Sequence, residues 1–171
     1  MTQREDSISP PEHLNDGHDV SAFDSGVPVL DDWLKKRALA NEERGASRTY
    51  VVTAGRRVVG YYALATGAVS GEQATGKVRR NMPDPIPVMI LGRLAVDRAF
   101  QSKGLGAALL RDSVLRTQQA ASIVGVRAML LHAISADAKR FYERYGFTAS
   151  PIDPMTLMLS LADAEKIISR K

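Results

Sequence analysis

Gln101, Gly104 and Gly106 stand at a fixed spacing, Q-x-x-G-x-G, where an apolar run gives way to a helical pattern. Glycines at the head of a helix let an anion approach backbone N–H groups that lack partners inside the helix, and the helix dipole favours the same charge. That chemistry suits a diphosphate. A plain tight turn accounts for the same glycines, so the motif by itself leaves both open. Two competing phosphate signatures fit less well: no G-x-x-x-x-G-K followed by Ser or Thr occurs, and the dinucleotide-binding pattern would place its third glycine on Leu109. A second group of residues is cationic. Lys77, Arg79 and Arg80 lie in a glycine- and proline-rich stretch, Arg93 in the apolar run before the glycines, and Lys35, Lys36 and Arg37 in a helical pattern. Such clusters can neutralise a nucleic-acid backbone, and a solvated basic face explains them as well. His13, His18 and His132 show no paired ligand spacing and the chain has no cysteine, so neither a metal nor a disulfide is expected. No histidine or carboxylate stands out as a general base.

The elements that must position these residues follow from periodicity. Residues 1–16 are polar and proline-containing, with too little apolar content to pack, and are expected to form a mobile arm. Order is expected to begin near His18, with a single domain over residues 17–171. From Val27 to Glu43 the residues Val27, Leu30, Leu34, Leu39 and Ala40 recur near helical spacing beside Trp33, and Gly45 follows as a stop. One amphipathic helix or two short ones would satisfy this. TYVVTA and VVGYYALATGAV, split by Gly55, Arg56 and Arg57, predict an antiparallel hairpin, and SGEQATGKVRRNMPDPIP a long surface loop. VMILGRLAV predicts a strand, followed by QSKGLG and the helical GAALLRDSVLRTQQAA. VRAMLLHA then reads as a buried strand, SADAKRFYERYG as a helix with Ser135 as N-cap and Gly146 as stop, and MTLMLSL as a last strand. The alternation predicts an α/β (α+β) fold, a mixed central sheet flanked by helices, without repeats or linkers.

Composition bounds the rest. With 171 residues, 44% of them hydrophobic, one sizeable core is possible. No apolar run approaches the roughly eighteen residues of a membrane span and the first residues lack a secretory apolar stretch, so a cytoplasmic protein is expected. The net charge of +4 favours anionic ligands through the summed field, which is weak evidence for nucleic acid taken alone.

An apolar strand, Q-x-x-G-x-G, a second strand, and then Ala138, Phe141, Tyr142, Gly146 and Phe147 as A-x-x-F-Y-x-x-x-G-F together resemble the GNAT superfamily of acetyltransferases. The resemblance implies the GNAT fold, acetyl-CoA as cofactor and transfer of its acetyl group to an amine. It implies that the N–H groups of Ser102, Lys103, Gly104, Leu105, Gly106 and Ala107, behind Gln101, hold the pyrophosphate. The backbone of Leu94, Ala95 and Val96 would align the pantetheine like an added strand, with an N–H near Val96 as oxyanion donor. Phe141 belongs to the cofactor-binding motif, and Tyr142 corresponds to the family's general acid. A core tyrosine on an amphipathic helix explains Tyr142 too, and Tyr145 is its rival outside the F-Y position. Many members carry asparagine where Ser135 stands, so Ser135 is either a weaker pantetheine contact or only a helix cap. A tyrosine of pKa ~10 is a poorer acid than a thiol of ~8.5, which makes full proton transfer uphill by about 2 kcal/mol and favours a hydrogen-bonding role. The lack of an evident base suits an α-amino acceptor, pKa ~8, better than a lysine of ~10.4.

FDSGVPVLDDWLKKRALANEERGASRTYVV, VVGYYALATGAV, VRRNMPDPIPVMILGRLAVD and SPIDPMTLML go further and resemble the GNAT-type toxins of bacterial toxin-antitoxin modules, over about Glu12 to Leu161. This resemblance implies acetylation of the amino group on aminoacyl-tRNA, which stops translation. It also implies a homodimer, a ribbon-helix-helix antitoxin, and tRNA contacts through Lys77, Arg79, Arg80, Arg93 and Lys36. Two other functions would share the cofactor site: a metabolic or protein N-acetyltransferase, and a catalytically idle acetyl-CoA-binding domain.

Overall fold

Alternating apolar residues and glycine stops shape the chain much as its periodicities predict, with several short additions. A computed structural model describes residues 7–168. In chain order the elements are β1 (Glu12–His13), α1 (Pro28–Lys36), α2 (Ala38–Arg44), β2 (Arg48–Ala54), β3 (Arg57–Val69), α3 (Gly76–Arg79), β4 (Ile86–Val96), a 3-10 turn (Arg98–Phe100), α4 (Leu105–Ala121), β5 (Ala128–His132), α5 (Ala136–Arg144), β6 (Thr148–Ala149), β7 (Thr156–Ser160) and α6 (Leu161–Ile168). The strands form one mixed sheet in the order β1-β2-β3-β4-β5-β7-β6, with β4 and β5 parallel. The chain groups into two compact units, Met1–Ala65 with Arg93–Asp112, and Thr66–Gly92 with Ser113–Lys171.

In the first unit, the predicted helical segment is two helices that meet at Arg37, and α2 ends on Gly45 at φ +74°. Leu30, Leu34 and Ala38 face Val51, Val58, Tyr61 and Ala95 of the strands. The Tyr61 hydroxyl donates to the Leu30 carbonyl at 2.7 Å, and its ring stacks on Trp33 at 5.9 Å. This core also corrects the expected arm. Ile8 bridges Ala54, Ser9 N–H donates to the Thr53 carbonyl, β1 pairs with β2, and Leu14 is buried. Pairing to an open sheet edge supplies the backbone hydrogen bonds that composition alone does not predict. The remainder of the expected arm, residues 1–6, lies outside the described residues.

In the second unit, Val69, Ala74, Val78, Ile86, Val88, Ala128, Leu130 and Met158 form the core. The predicted loop contains α3, whose N-cap Thr75 accepts from Val78 N–H at 3.3 Å while Ala74 and Val78 are buried. One turn of helix is too short for periodicity to show. β6 and α6 escape the sequence for related reasons, β6 being two residues long and α6 burying only Ala164 and Ile167. No helix among the described residues is long and apolar enough to cross a membrane.

Candidate active site

The Q-x-x-G-x-G turn belongs to the first unit and is built on a buried carboxylate. Asp97, at the end of β4, accepts from Ala99 N–H at 3.0 Å, Asp24 N–H at 3.1 Å and Arg57 at 3.0 Å. Burial alone would raise its pKa, but the two backbone donors and the Arg57 guanidinium outweigh it and hold the carboxyl below its usual range. The Gln101 side-chain amide then donates to the Val96 carbonyl at 2.8 Å and the Ser25 carbonyl at 2.9 Å. Gln101 therefore positions the turn, its side-chain N–H groups already committed. Ser102 and Gly104 take φ of +64° and +82°, and α4 begins directly after them. Positive φ is rare for a residue such as Ser102 and natural for Gly104.

The consequence is a run of backbone donors. The first helical bond runs from Ala108 N–H to the Gly104 carbonyl, and the N–H groups of Ser102 to Ala107 have no acceptor among the described residues. A Cβ placed on Gly104 would meet no protein atom within 4 Å, so the space before the turn is open. The Lys103 ammonium lies 5.4 Å from the Phe100 ring centre, keeping a positive charge at the turn. Open space, unpaired donors and a cation together fit a diphosphate. Upstream, Ala95 turns into the core of its unit while Leu94 and Val96 stay half-buried. The β4–β5 pairing covers only Val88–Ile90 with Ala128–Leu130, although both strands run on past it.

The aromatic motif belongs to the second unit. The Ser135 hydroxyl accepts from Ala138 N–H at 3.0 Å, which is the N-cap of α5. Phe141 packs edge-on against Tyr142, with centroids 5.1 Å apart, and Tyr142 meets Phe147 at 5.7 Å. Tyr142 is 9% exposed, its hydroxyl has no hydrogen-bond partner among the described residues, and burial pushes its pKa up. Tyr145 is half-buried and also touches the Phe141 ring.

Residues 45–149, spanning both the turn and α5, match the family model for the acetyltransferase (GNAT) domain. The chain is 52% identical over 160 residues to a tRNA-acetylating toxin of Mycobacterium tuberculosis, covering 94% of this chain and 96% of that protein. This chain belongs to the GNAT acetyltransferase family. Two solved structures are similar over nearly their full length. One is AtaT complexed with acetyl-methionyl-tRNAfMet, with 26% identity, a TM-score of 0.85, and 95% of this chain and 100% of that one covered. The other is a mutant AtaT toxin bound to the C-terminus of the antitoxin AtaR and acetyl-CoA, with 25% identity, a TM-score of 0.81, and 96% and 100% covered. The protein is thus an acetyl-CoA-dependent acetyltransferase.

The cationic residues of this GNAT enzyme fall into different circumstances. Lys77 is held by Asp163 at 2.6 Å, which offsets its charge. Arg79 and Arg80 are exposed, with one Arg79 nitrogen 3.4 Å from the Gly71 carbonyl. Arg93 lies 4.3 Å above the Trp33 ring, a stacking that leaves the in-plane N–H donors of a guanidinium available. Lys36 reaches only 4.0 Å from Asp32, both exposed, which contributes little. One residue missed by sequence reasoning organises this region. Arg127 donates to the carbonyls of Val78 at 3.0 Å, and of Lys77 and Arg80 at 3.2 Å, tying down the turn that carries Arg79 and Arg80. No local pattern marks it, since its partners lie about fifty residues away.

Proposed function

We propose that this enzyme acetylates the α-amino group of aminoacyl-tRNA and thereby acts as a toxin that blocks translation. The observation that carries the proposal is the 52% identity, along almost the whole chain, to a relative named for acetylating tRNA. Acetyl-CoA supplies an acetyl group already activated as a thioester. The N–H groups of Ser102 to Ala107 bind its diphosphate, the backbone of Leu94 to Val96 holds its pantetheine arm, and an N–H near Val96 stabilises the oxyanion. By the family likeness Phe141 and Ser135 are cofactor-binding residues, and Ser135 also caps α5. Tyr142 donates a hydrogen bond to the departing sulfur. Its raised pKa supports this role, because a buried tyrosine keeps its proton while still offering the hydrogen bond. Arg79, Arg80 and Arg93, with smaller shares from Lys36 and Lys77, meet the tRNA backbone. By the same family likeness we infer a homodimer working in the cytoplasm and restrained by a ribbon-helix-helix antitoxin.

Expression in a bacterial host tests the proposal. Without an antitoxin the wild-type protein is expected to halt growth and protein synthesis, and a folded Tyr142→Phe variant to be far better tolerated. Equal toxicity of the two would mean that sequestration rather than chemistry causes arrest. Full tolerance of the wild type at high levels would favour a metabolic or protein N-acetyltransferase.

A further inference from the structure

An α-ammonium group must lose a proton before it can attack, and neither the Gln101 turn nor the Phe141–Tyr142 motif supplies an acceptor for it. Three histidines are described. His18 has both ring nitrogens engaged, Nδ1 accepting from Asn15 N–H at 3.0 Å and Nε2 lying 2.8 Å from Glu12. His13 is on the edge strand β1, paired with Glu42 at 3.0 Å. His132, the last residue of β5, is exposed and differently held.

Its Nδ1 lies 2.8 Å from Thr156 Oγ1, and that hydroxyl donates to Asp153 at 2.6 Å. The Thr156 hydroxyl and the Met155 N–H keep the Asp153 carboxyl below its usual range, so Asp153 is an anion that can only accept. With its one proton directed at Asp153, Thr156 Oγ1 can only accept from His132, which puts a hydrogen on Nδ1. The lone pair of the neutral ring is then on Nε2, which has no hydrogen-bond partner among the described residues.

Placement within the second unit supports a use for that lone pair. His132 lies two residues past the last β4–β5 pair, Ile90 with Leu130, at the carboxyl end of β5, whose parallel neighbour β4 continues to Val96. Ligands of open α/β sheets bind at such ends. By strand alternation His132 shares its face with Ala128 and Leu130, which pack against Ala74 and Val78 of the segment that carries Arg79 and Arg80. Met129, Leu131, Leu157 and Leu159 take the opposite face. There Leu159 lies 3.7 Å from where a Cβ on Gly146 would sit, just past the helix that bears Tyr142.

We infer that His132 Nε2 is the proton acceptor for the acceptor ammonium, on the face where the basic turn would bring the tRNA. The inference rests on the proposed aminoacyl-tRNA reaction. His132 takes one proton from the ammonium, and the freed nitrogen pair forms the N–C bond to the acetyl carbon. The C–S bond breaks with its electrons on sulfur, which receives the second nitrogen proton and becomes the thiol of CoA. The third proton stays on the amide, and His132 returns its own to solvent. Asp153 and Thr156 are positioning residues that fix the tautomer.

Long-range 1H–15N spectra of histidine-labelled protein should show His132 protonated at Nδ1 alone, and Thr156→Val should remove that preference. His132→Gln should bind acetyl-CoA, and charged tRNA in the presence of CoA, within about twofold of wild type. Its single-turnover acetylation of charged tRNA should be slower by roughly 10²-fold, the lower end for a positioned base, with partial recovery in added imidazole. A proton on Nε2 instead, an undiminished rate in His132→Gln, or a slower rate explained by lost tRNA binding would each overturn the assignment. A wild-type enzyme that labels no charged tRNA would overturn the acceptor proposal and this inference with it, whereas normal labelling by His132→Gln would remove the base alone.

Discussion

Tyr142 illustrates how a residue's surroundings decide between two roles that its chemistry allows. Ordinary tyrosine is already the weaker acid relative to a thiol, and burial raises its pKa further, so a hydrogen bond is retained where full transfer is disfavoured. Tyr142→Phe is expected to lower turnover by about 10² to 10⁴ with little change in acetyl-CoA affinity, and Tyr145→Phe to be much milder, as steady-state kinetics and calorimetry would show. The reverse ranking would exchange the two tyrosines. The F-Y pair was visible in the sequence because it is local, whereas the Asp97 set was not, its donors Asp24 and Arg57 being 73 and 40 residues away. Asp97→Asn weakens three hydrogen bonds and is expected to cost about 1–3 kcal/mol at neutral pH by urea denaturation. Because the folded carboxyl titrates below its unfolded value near ~3.9, its contribution is complete above that value and fades as pH falls through the lower folded one. Wild type and Asp97→Asn should therefore converge in stability in strong acid. A gap as wide there as at neutral pH would deny the charge its role.

The strand, turn and helix around Gln101 form the element that the sequence announces most clearly, because each signal sits within a few residues of the next. Gly104 is required by conformation rather than by packing: its φ is +82° and no protein atom stands near its missing side chain. Gly104→Val should cost only about 1–2 kcal/mol of backbone strain, leaving a folded protein, yet its branched side chain would enter the space before the unpaired N–H groups. Acetyl-CoA binding measured by calorimetry should be lost, and so it should be for Gly106→Val. Unchanged affinity in the folded variants would move the cofactor elsewhere. The basic turn is the opposite case, since α3 spans four residues and is held by Arg127 from across the sequence. Periodicity has nothing to detect there. Arg127→Met should speed amide exchange in Lys77 to Arg80 and weaken tRNA binding while acetyl-CoA affinity stays the same, and an unchanged exchange rate would count against the clamp.

Across the whole molecule the excess positive charge is modest, so its distribution matters more than its total. Lys77 is paired with Asp163, which leaves Arg79 and Arg80 as the cations of their turn without a carboxylate partner among the described residues. Arg79→Glu with Arg80→Glu should weaken tRNA binding and reduce its salt slope, since each lost phosphate contact removes released counterions. A slope identical to wild type would assign both to a solvated face. The mixed sheet and helices were legible from alternating patterns. The edge pairing of Ile8 to Leu14 was not, because a strand of two residues at a sheet edge carries no periodic signal. Acetylation of an amino acid on its tRNA is decided by giving the purified enzyme labelled acetyl-CoA with charged tRNA, uncharged tRNA, free amino acids, polyamines and ribosomal proteins. The product would be identified by mass spectrometry after hydrolysis of the ester. An N-acetylated amino acid from charged tRNA is expected, with no label on the uncharged form. Efficient labelling of a polyamine or protein, with every charged tRNA untouched, would contradict it.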